Sequence, residues 1–205
     1  MKPWLSIVIP TAGQRTSGLV RTLQSIDRQP HAEDVEVLIV ADTHGVSERY
    51  PFSNLRSAIT EFFDCHWLEY DGGLHCFGQP QRNYGARQAL GDWVGFSQDD
   101  NILAEGALDA VWAAVSLSPP RPLFFRVLTP WREEVWAEPR LWQGNIDADC
   151  LVLPRELAQR VTWGARYEGD FDAALDAMVL TGGNVGWREE RIAIARPEQE
   201  HIWWE

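Results

Sequence analysis

Three short, mostly apolar runs set the strongest limit on what this chain can fold into. Trp4 to Ile9, Val35 to Ala41 and Trp93 to Ser97 lack the in-out alternation of a half-solvated strand. The first two therefore predict strands covered on both faces, and the third predicts a strand. A polar turn, Thr11-Ala12-Gly13, follows Pro10 at the end of the first run. Leu19, Leu23 and Ile26 then fall at helical spacing behind Thr16 or Ser17, either of which can cap, and the pattern ends near Gln29-Pro30. Further helices are predicted over 53–63 and over Gln81 to Leu90, with a shorter strand at His66 to Tyr70. Strands alternating with helices predict an α/β unit whose ligands sit beyond the carboxyl ends of the strands. Here those ends carry Pro10-Thr11, Asp42 and Gln98-Asp99-Asp100-Asn101.

The second half is less regular. A helix is expected at Ala104 to Val115, a strand at Leu123 to Leu128, another at Cys150 to Leu153, and a helix at Pro154 to Val161. Gly169 to Leu180 predicts a helix, and short strands are expected near 184–187 and 192–195. Trp131 to Trp142 has no clear period and is assigned no element. With 205 residues and no repeat or linker, the chain suits one domain over 1–205.

Charge narrows the partners. The chain carries 30 acidic residues against 18 basic ones, a net charge of -12, with the deficit spread over both halves. Without a basic stripe, neither a nucleic-acid backbone nor an anionic membrane is an expected partner. A phosphorylated ligand would need a metal ion or a few placed arginines. No window reaches the roughly 18 apolar residues of a membrane span, and the start is too short for a signal peptide. Cys65, Cys76 and Cys150 are odd in number and form no CxxC, so reduced thiols and a cytoplasmic setting are expected. Cys65-His66 and His75-Cys76 mirror each other, but adjacent strand residues point to opposite faces, which disfavours a zinc site. The sequence lacks a P-loop, GxGxxG, GxSxG and HExxH. Tryptophan is abundant, 11 residues. Trp131 and Trp163 could be sugar-stacking platforms, although core burial is the expectation for both.

The acidic strand end is the sharpest local signal. Adjacent carboxylates repel unless a cation or a donor stands beside them. Asp99-Asp100 could hold Mg²⁺ or Mn²⁺ together with a ligand's phosphates, or the trio could merely cap the segment that follows. The order of five segments extends this reading. Leu5-Ser6-Ile7-Val8-Ile9-Pro10-Thr11, Val37-Leu38-Ile39-Val40-Ala41-Asp42, Arg82-Asn83-Tyr84-Gly85-Ala86-Arg87 with Ala89-Leu90-Gly91-Asp92-Trp93-Val94, Gln98-Asp99-Asp100-Asn101, and Glu168-Gly169-Asp170-Phe171-Asp172 appear in that sequence. Together they resemble the GT-A fold glycosyltransferases of family 2, well over 1–105 and loosely over 144–176.

The resemblance implies a Rossmann-like mixed sheet, mostly parallel and flanked by helices, with a donor half over 1–103 and an acceptor half over 104–205. It implies an inverting transfer of a sugar from a nucleoside diphosphate donor, UDP-linked in the first instance, to a glycan or other hydroxyl acceptor. By matching position, Pro10, Thr11, Asp42, Arg82 and Asp99 would line the donor pocket, Asp100 would bind Mn²⁺ or Mg²⁺, and Asp170 would be the base. Gln98 departs from the DxD pattern, where an Asp is usual. The compact acceptor half would allow a homodimer or a partner protein to complete the site. A non-catalytic nucleotide-sugar-binding module is the alternative that Gln98 keeps open. A nucleotidyltransferase is disfavoured because the loop Thr11 to Gly18 carries only Arg15 as a basic residue.

Overall fold

The computed structural model describes residues 2–43, 56, 59, 62, 65–71, 76–117, 119–130 and 133–197. Strand β1 (Leu5–Thr11) leads into helix α1 (Thr16–Asp27), followed by β2 (Val35–Asp42) and β3 (Cys65–Tyr70). Helix α2 (Gln79–Gln88), β4 (Trp93–Phe96), β5 (Ile102–Leu103) and α3 (Ala107–Leu117) come next. The second half contributes β6 (Leu123–Leu128), β7 (Glu134–Val135), β8 (Leu151–Pro154), α4 (Arg155–Ala158), α5 (Gly169–Leu180) and β9 (Gly186–Ile194). The helix expected over 53–63 lies mostly outside the described residues.

All these strands join one sheet in the order β3-β2-β1-β4-β8-β6-β9-β5, with β7 on β6. Its first four strands are parallel, β8 is antiparallel to β4, and β6 runs parallel to β9. The apolar runs of β1 and β2 are explained by burial on both sides. Leu5, Ile7 and Ile9 join Val35, Val37 and Ile39 against Leu19, Leu23 and Ile26 of α1 and Leu108 and Val111 of α3. Val8, Leu38 and Val40 face the other way, toward Ala86 of α2, Leu157 of α4 and Ala173 and Ala177 of α5. The alternation is present in the packing and absent from the polarity.

Two boundaries differ from the sequence reading for identifiable reasons. Strand β1 continues through Pro10, which pairs with Val40. Val8 turns its carbonyl to the β4 side, where Ser97 donates to it at 3.0 Å, and residue 10 points its backbone groups the same way. Because β4 ends at Phe96, the missing N–H of Pro10 falls where no ladder requires it. The two short strands expected near 184–187 and 192–195 are one strand, β9, bent by register shifts between Phe124 and Val127 of its partner β6.

Gly18 shows how tightly α1 sits on the strand ends. A Cβ there would collide with the backbone carbonyl of Asp99, so the glycine is what lets the helix approach. Gly18→Ala should lower stability by about 1–3 kcal/mol, a drop of roughly 2–4 °C in Tm per kcal/mol for a chain of this size. Thermal unfolding checks it, and an unchanged Tm would show that the contact is not tight.

Candidate functional site

The carboxyl ends of β1, β2 and β4, with the start of α2, enclose a crevice of about 350 Å³. Pro10, Thr11, Asp42, Arg82 and Asp99 all line it, together with Arg15, Gln81, Gln98 and Arg196. Residues far apart in the chain therefore converge here, as parallel strand ends require. Asp100 stands beside the crevice, joined to it by ion pairs with Arg15 and Arg196, whereas Asp170 is not among the lining residues and is related to them only through its charge interaction with Arg82.

Asp99 is held in place by a 2.7 Å hydrogen bond from the Thr11 hydroxyl, and Arg15 lies 3.5 Å from its other oxygen. Burial pushes its pKa up, and the Thr11 hydroxyl and Arg15 pull it back. Arg15, at the N-cap of α1, makes no side-chain cap. Neither Thr16 nor Ser17 takes the cap position expected for it. Arg15 instead reaches Asp100 Oδ2 at 2.5 Å, and Arg196 reaches the same oxygen at 3.4 Å. Asp100 Oδ1 is buried with no hydrogen-bond partner.

A hard divalent cation would satisfy that orphaned oxygen, and oxygen donors are what Mg²⁺ and Mn²⁺ take. Among the described residues no group of three or more His, Cys, Asp or Glu side chains is arranged as a metal site. One protein carboxylate with ligand oxygens is the coordination that these residues fit.

Arg82 is almost fully buried at 3% exposure. Nη1 donates to the Phe77 carbonyl at 2.9 Å and to Gln79 Oε1 at 3.3 Å, while Nε has no partner. The guanidinium lies over the Trp163 ring, 5.2 Å from its centroid. Burial lowers its pKa, and the negative charges of Asp149, Asp147, Asp170 and Asp99 oppose that shift. A buried cation in the lining of an open crevice is a ready partner for an anionic ligand. Gln81 is also buried in the lining, with Oε1 unpartnered. Sequence reasoning missed it, because no spacing rule marks a single glutamine.

Asp170 opens α5, and its Oδ1 accepts from the Phe171 N–H at 2.7 Å. Burial first, then the charge of Asp147, push its pKa up to about 6, against the pull of that N–H and of Arg82. A half-buried carboxyl tuned toward neutrality is suited to accept a proton.

The pair Asp147 and Asp149 was not anticipated by the sequence reading. Asp149 is buried and accepts from Ser97 Oγ at 2.8 Å and Asn101 Nδ2 at 2.9 Å. Burial raises its pKa well above the usual carboxylate range, with Asp147 adding to the effect. Gln98 Nε2 donates to Asp147 at 3.3 Å and to Asp149 at 3.5 Å. That accounts for Gln98, since an Asp there would set a third carboxylate against two. The available signal was Asp147-Ala148-Asp149 directly before an apolar run, the same grammar as the acidic end of β4.

Asn101 is fully buried, holding Asp149 through Nδ2 and the Arg196 N–H through Oδ1 at 3.1 Å. Asn83 exchanges two 3.0 Å hydrogen bonds with the backbone of Trp163. Trp163, at 2% exposure, is core, whereas Trp131 lies outside the described residues. Arg87 is exposed. Cys65, Cys76 and Cys150 are in no disulfide.

Several solved structures share this architecture. A structure of Staphylococcus aureus TarS superposes on 95% of the chain with a TM-score of 0.74 and 14% identity. One of TarS in complex with UDP-GlcNAc gives 0.66 over 93%. The mannosyltransferase PcManGT of Pyrobaculum calidifontis, in complex with GDP-Man and Mn²⁺, gives 0.68 over 96% at 15% identity. The chain has the GT-A glycosyltransferase fold. It spans about three fifths of the length of those chains, 61% for the first. No model of a known protein family matches the GT-A chain, and no curated protein matches it. Among the described residues of this GT-A chain, no helix is long and apolar enough to cross a membrane.

Replacing Gln98 by Asp tests the role of the acidic pair. Gln98→Asp should cost about 1–3 kcal/mol of stability, through a lost donor and added repulsion. The penalty should shrink on acidification as the carboxylates protonate. Chemical denaturation at two pH values measures it, and a variant as stable as the parent would remove the explanation.

Proposed function

We propose that the chain is an inverting glycosyltransferase of the family 2 type, moving a sugar from a nucleoside diphosphate donor to an acceptor hydroxyl. The observation that carries this is the buried Arg82 in the lining of the crevice, with the half-buried Asp170 close enough for their charges to interact. Binding of UDP-GlcNAc by TarS and of GDP-Man with Mn²⁺ by the mannosyltransferase supports a donor of this class. A UDP-linked sugar is the donor we favour.

Asp42 and Pro10 would border the base and ribose, and Thr11 would hold Asp99 toward the ribose or diphosphate. Arg82, and Arg15 and Arg196 once drawn from Asp100, would meet the diphosphate charge, which is how so acidic a chain can hold an anionic ligand. Mn²⁺ or Mg²⁺, when bound at Asp100, supplies Lewis-acid stabilisation of the leaving diphosphate. The Asp170 carboxylate would take the acceptor's hydroxyl proton as the acceptor oxygen forms its bond to the anomeric carbon. The bond from that carbon to the diphosphate oxygen breaks, and its electron pair leaves with the nucleoside diphosphate. One displacement inverts the configuration. A glycan is the acceptor class, and a second copy or a partner protein would extend its site.

The test is turnover of UDP-linked and GDP-linked sugars with Mn²⁺. Because Asp170 must be ionised to act, kcat/KM should climb as pH rises through about 6 and then level. Asp170→Asn should lower kcat by a factor of about 10²–10⁴ while nucleotide affinity is kept. Turnover of both sugars in Asp170→Asn at the parental rate would contradict the assignment. Affinity without turnover in the parent would favour a non-catalytic binding module.

Stability gives a second check. The folded state holds the Asp170 proton more tightly than the unfolded chain does, so this group stabilises the fold at low pH. That contribution is lost as pH rises from roughly 4, the ordinary Asp value, to about 6. The stability of Asp170→Asn relative to the parent should therefore rise across that window, read by denaturation. A difference independent of pH would contradict the shift.

A further inference from the structure

We propose that Phe77 and Tyr167 form a stacking platform for the apolar face of a pyranose ring, the acceptor's subsite at the mouth of the crevice. The proposal rests on the glycosyltransferase reading for the identity of the crevice. Phe77 is 63% exposed and Tyr167 69%, and their rings meet in a T-shape with centroids 5.2 Å apart. Phe77 lines the crevice itself, and Tyr167 precedes Asp170 by three residues. Two large rings exposed together beside a pocket are a contact surface in need of a ligand.

The backbone beneath each ring is fixed. Phe77 has φ 53° and Gly78 φ 78°, and the turn closes with the Gln79 N–H donating to the Cys76 carbonyl at 2.9 Å. Glycine and asparagine favour such a turn, whereas phenylalanine is strained there. Local stability therefore does not explain the choice of residue, and a ring held at the crevice does. Arg82 Nη1 holds the Phe77 carbonyl, so the cation assigned to the donor also anchors the platform. On the other side, Arg166 pairs with Asp172 through two hydrogen bonds, at 2.8 and 2.5 Å, and its carbonyl accepts from Gln79 Nε2 at 3.4 Å. Tyr167 thus projects from a tied loop.

The chemistry fits a sugar. A pyranose presents C–H groups on one face and hydroxyls around its rim, and aromatic faces take the first while leaving the second solvated. Rigid aromatic side chains also lose little conformational freedom on contact.

The experiment is binding to a printed panel of hexose and N-acetylhexosamine oligosaccharides, with and without UDP. Phe77→Gly suits the left-handed backbone, so it removes the ring without burdening the fold. Tyr167→Ala removes the other ring, and Tyr167→Trp restores an aromatic face. The parent should retain a subset of glycans, both deletions should weaken that subset by about tenfold or more, and Tyr167→Trp should recover it. Equal glycan affinity in the parent and Phe77→Gly would overturn the platform, as would a parent that takes up nucleotide but no glycan. A UDP and GDP titration on the same preparations reads the donor site separately. Failure there falls on the glycosyltransferase reading, while the glycan panel still decides the platform.

Discussion

The burial of one guanidinium organises this molecule. Arg82 sits at the start of α2 with almost no access to solvent, and a cation so placed is tolerated only with negative charge around it. Asp149, Asp147, Asp170 and Asp99 supply that charge. They come from the segment before β8, the start of α5 and the end of β4, so the need to balance Arg82 draws both halves of the chain to one point. Burial first, and then the charge of Asp147, push Asp170 up to about 6 in the same neighbourhood. Charge compensation and the tuning of a candidate base are two consequences of the same cluster.

The halves are locked by polar contacts as well as by the sheet. Strand β4 pairs with β8, and at its end Ser97, Gln98 and Asn101 donate to Asp149 or Asp147. Asn83 clamps the backbone of Trp163, and Gln79 reaches the Arg166 carbonyl. Helix α2 therefore carries the cation on one residue and the fastening to the second half on two others. Movement of the Trp163 to Arg166 segment away from α2 would break the Asn83 pair and the Gln79 contact, so the site is preorganised by contacts that are individually modest.

What could be read in advance followed what is local. The bounds of β6 and α5 and the cores of β1 and β2 are written in runs and periods of apolar residues, and the strand ends that line the crevice follow from the parallel topology. Pro10 reads as a strand terminator in the sequence, because a missing N–H is harmless only if the neighbouring strand stops short, and that is a fact of register. Strand β5 is two residues long and carries no period at all. Asp147 and Asp149 escaped notice because their significance lies in Ser97, Gln98 and Asn101, about fifty residues away. Gln98 read as a departure from a motif, and the structure gives it a reason, a neutral donor between two carboxylates. The exposed ring at Phe77 was equally hidden, since a φ of 53° leaves no mark on composition.

The central claim is that the crevice receives a nucleoside diphosphate with a divalent cation at Asp100. Calorimetric titration of UDP and GDP, with and without Mn²⁺, on the native chain and on Asp100→Ala addresses it directly. Tight binding of one nucleotide that needs Mn²⁺ and is lost in Asp100→Ala is the expected result. A folded native chain that takes up neither nucleotide would contradict the claim, and binding indifferent to both Mn²⁺ and Asp100 would remove the metal from it.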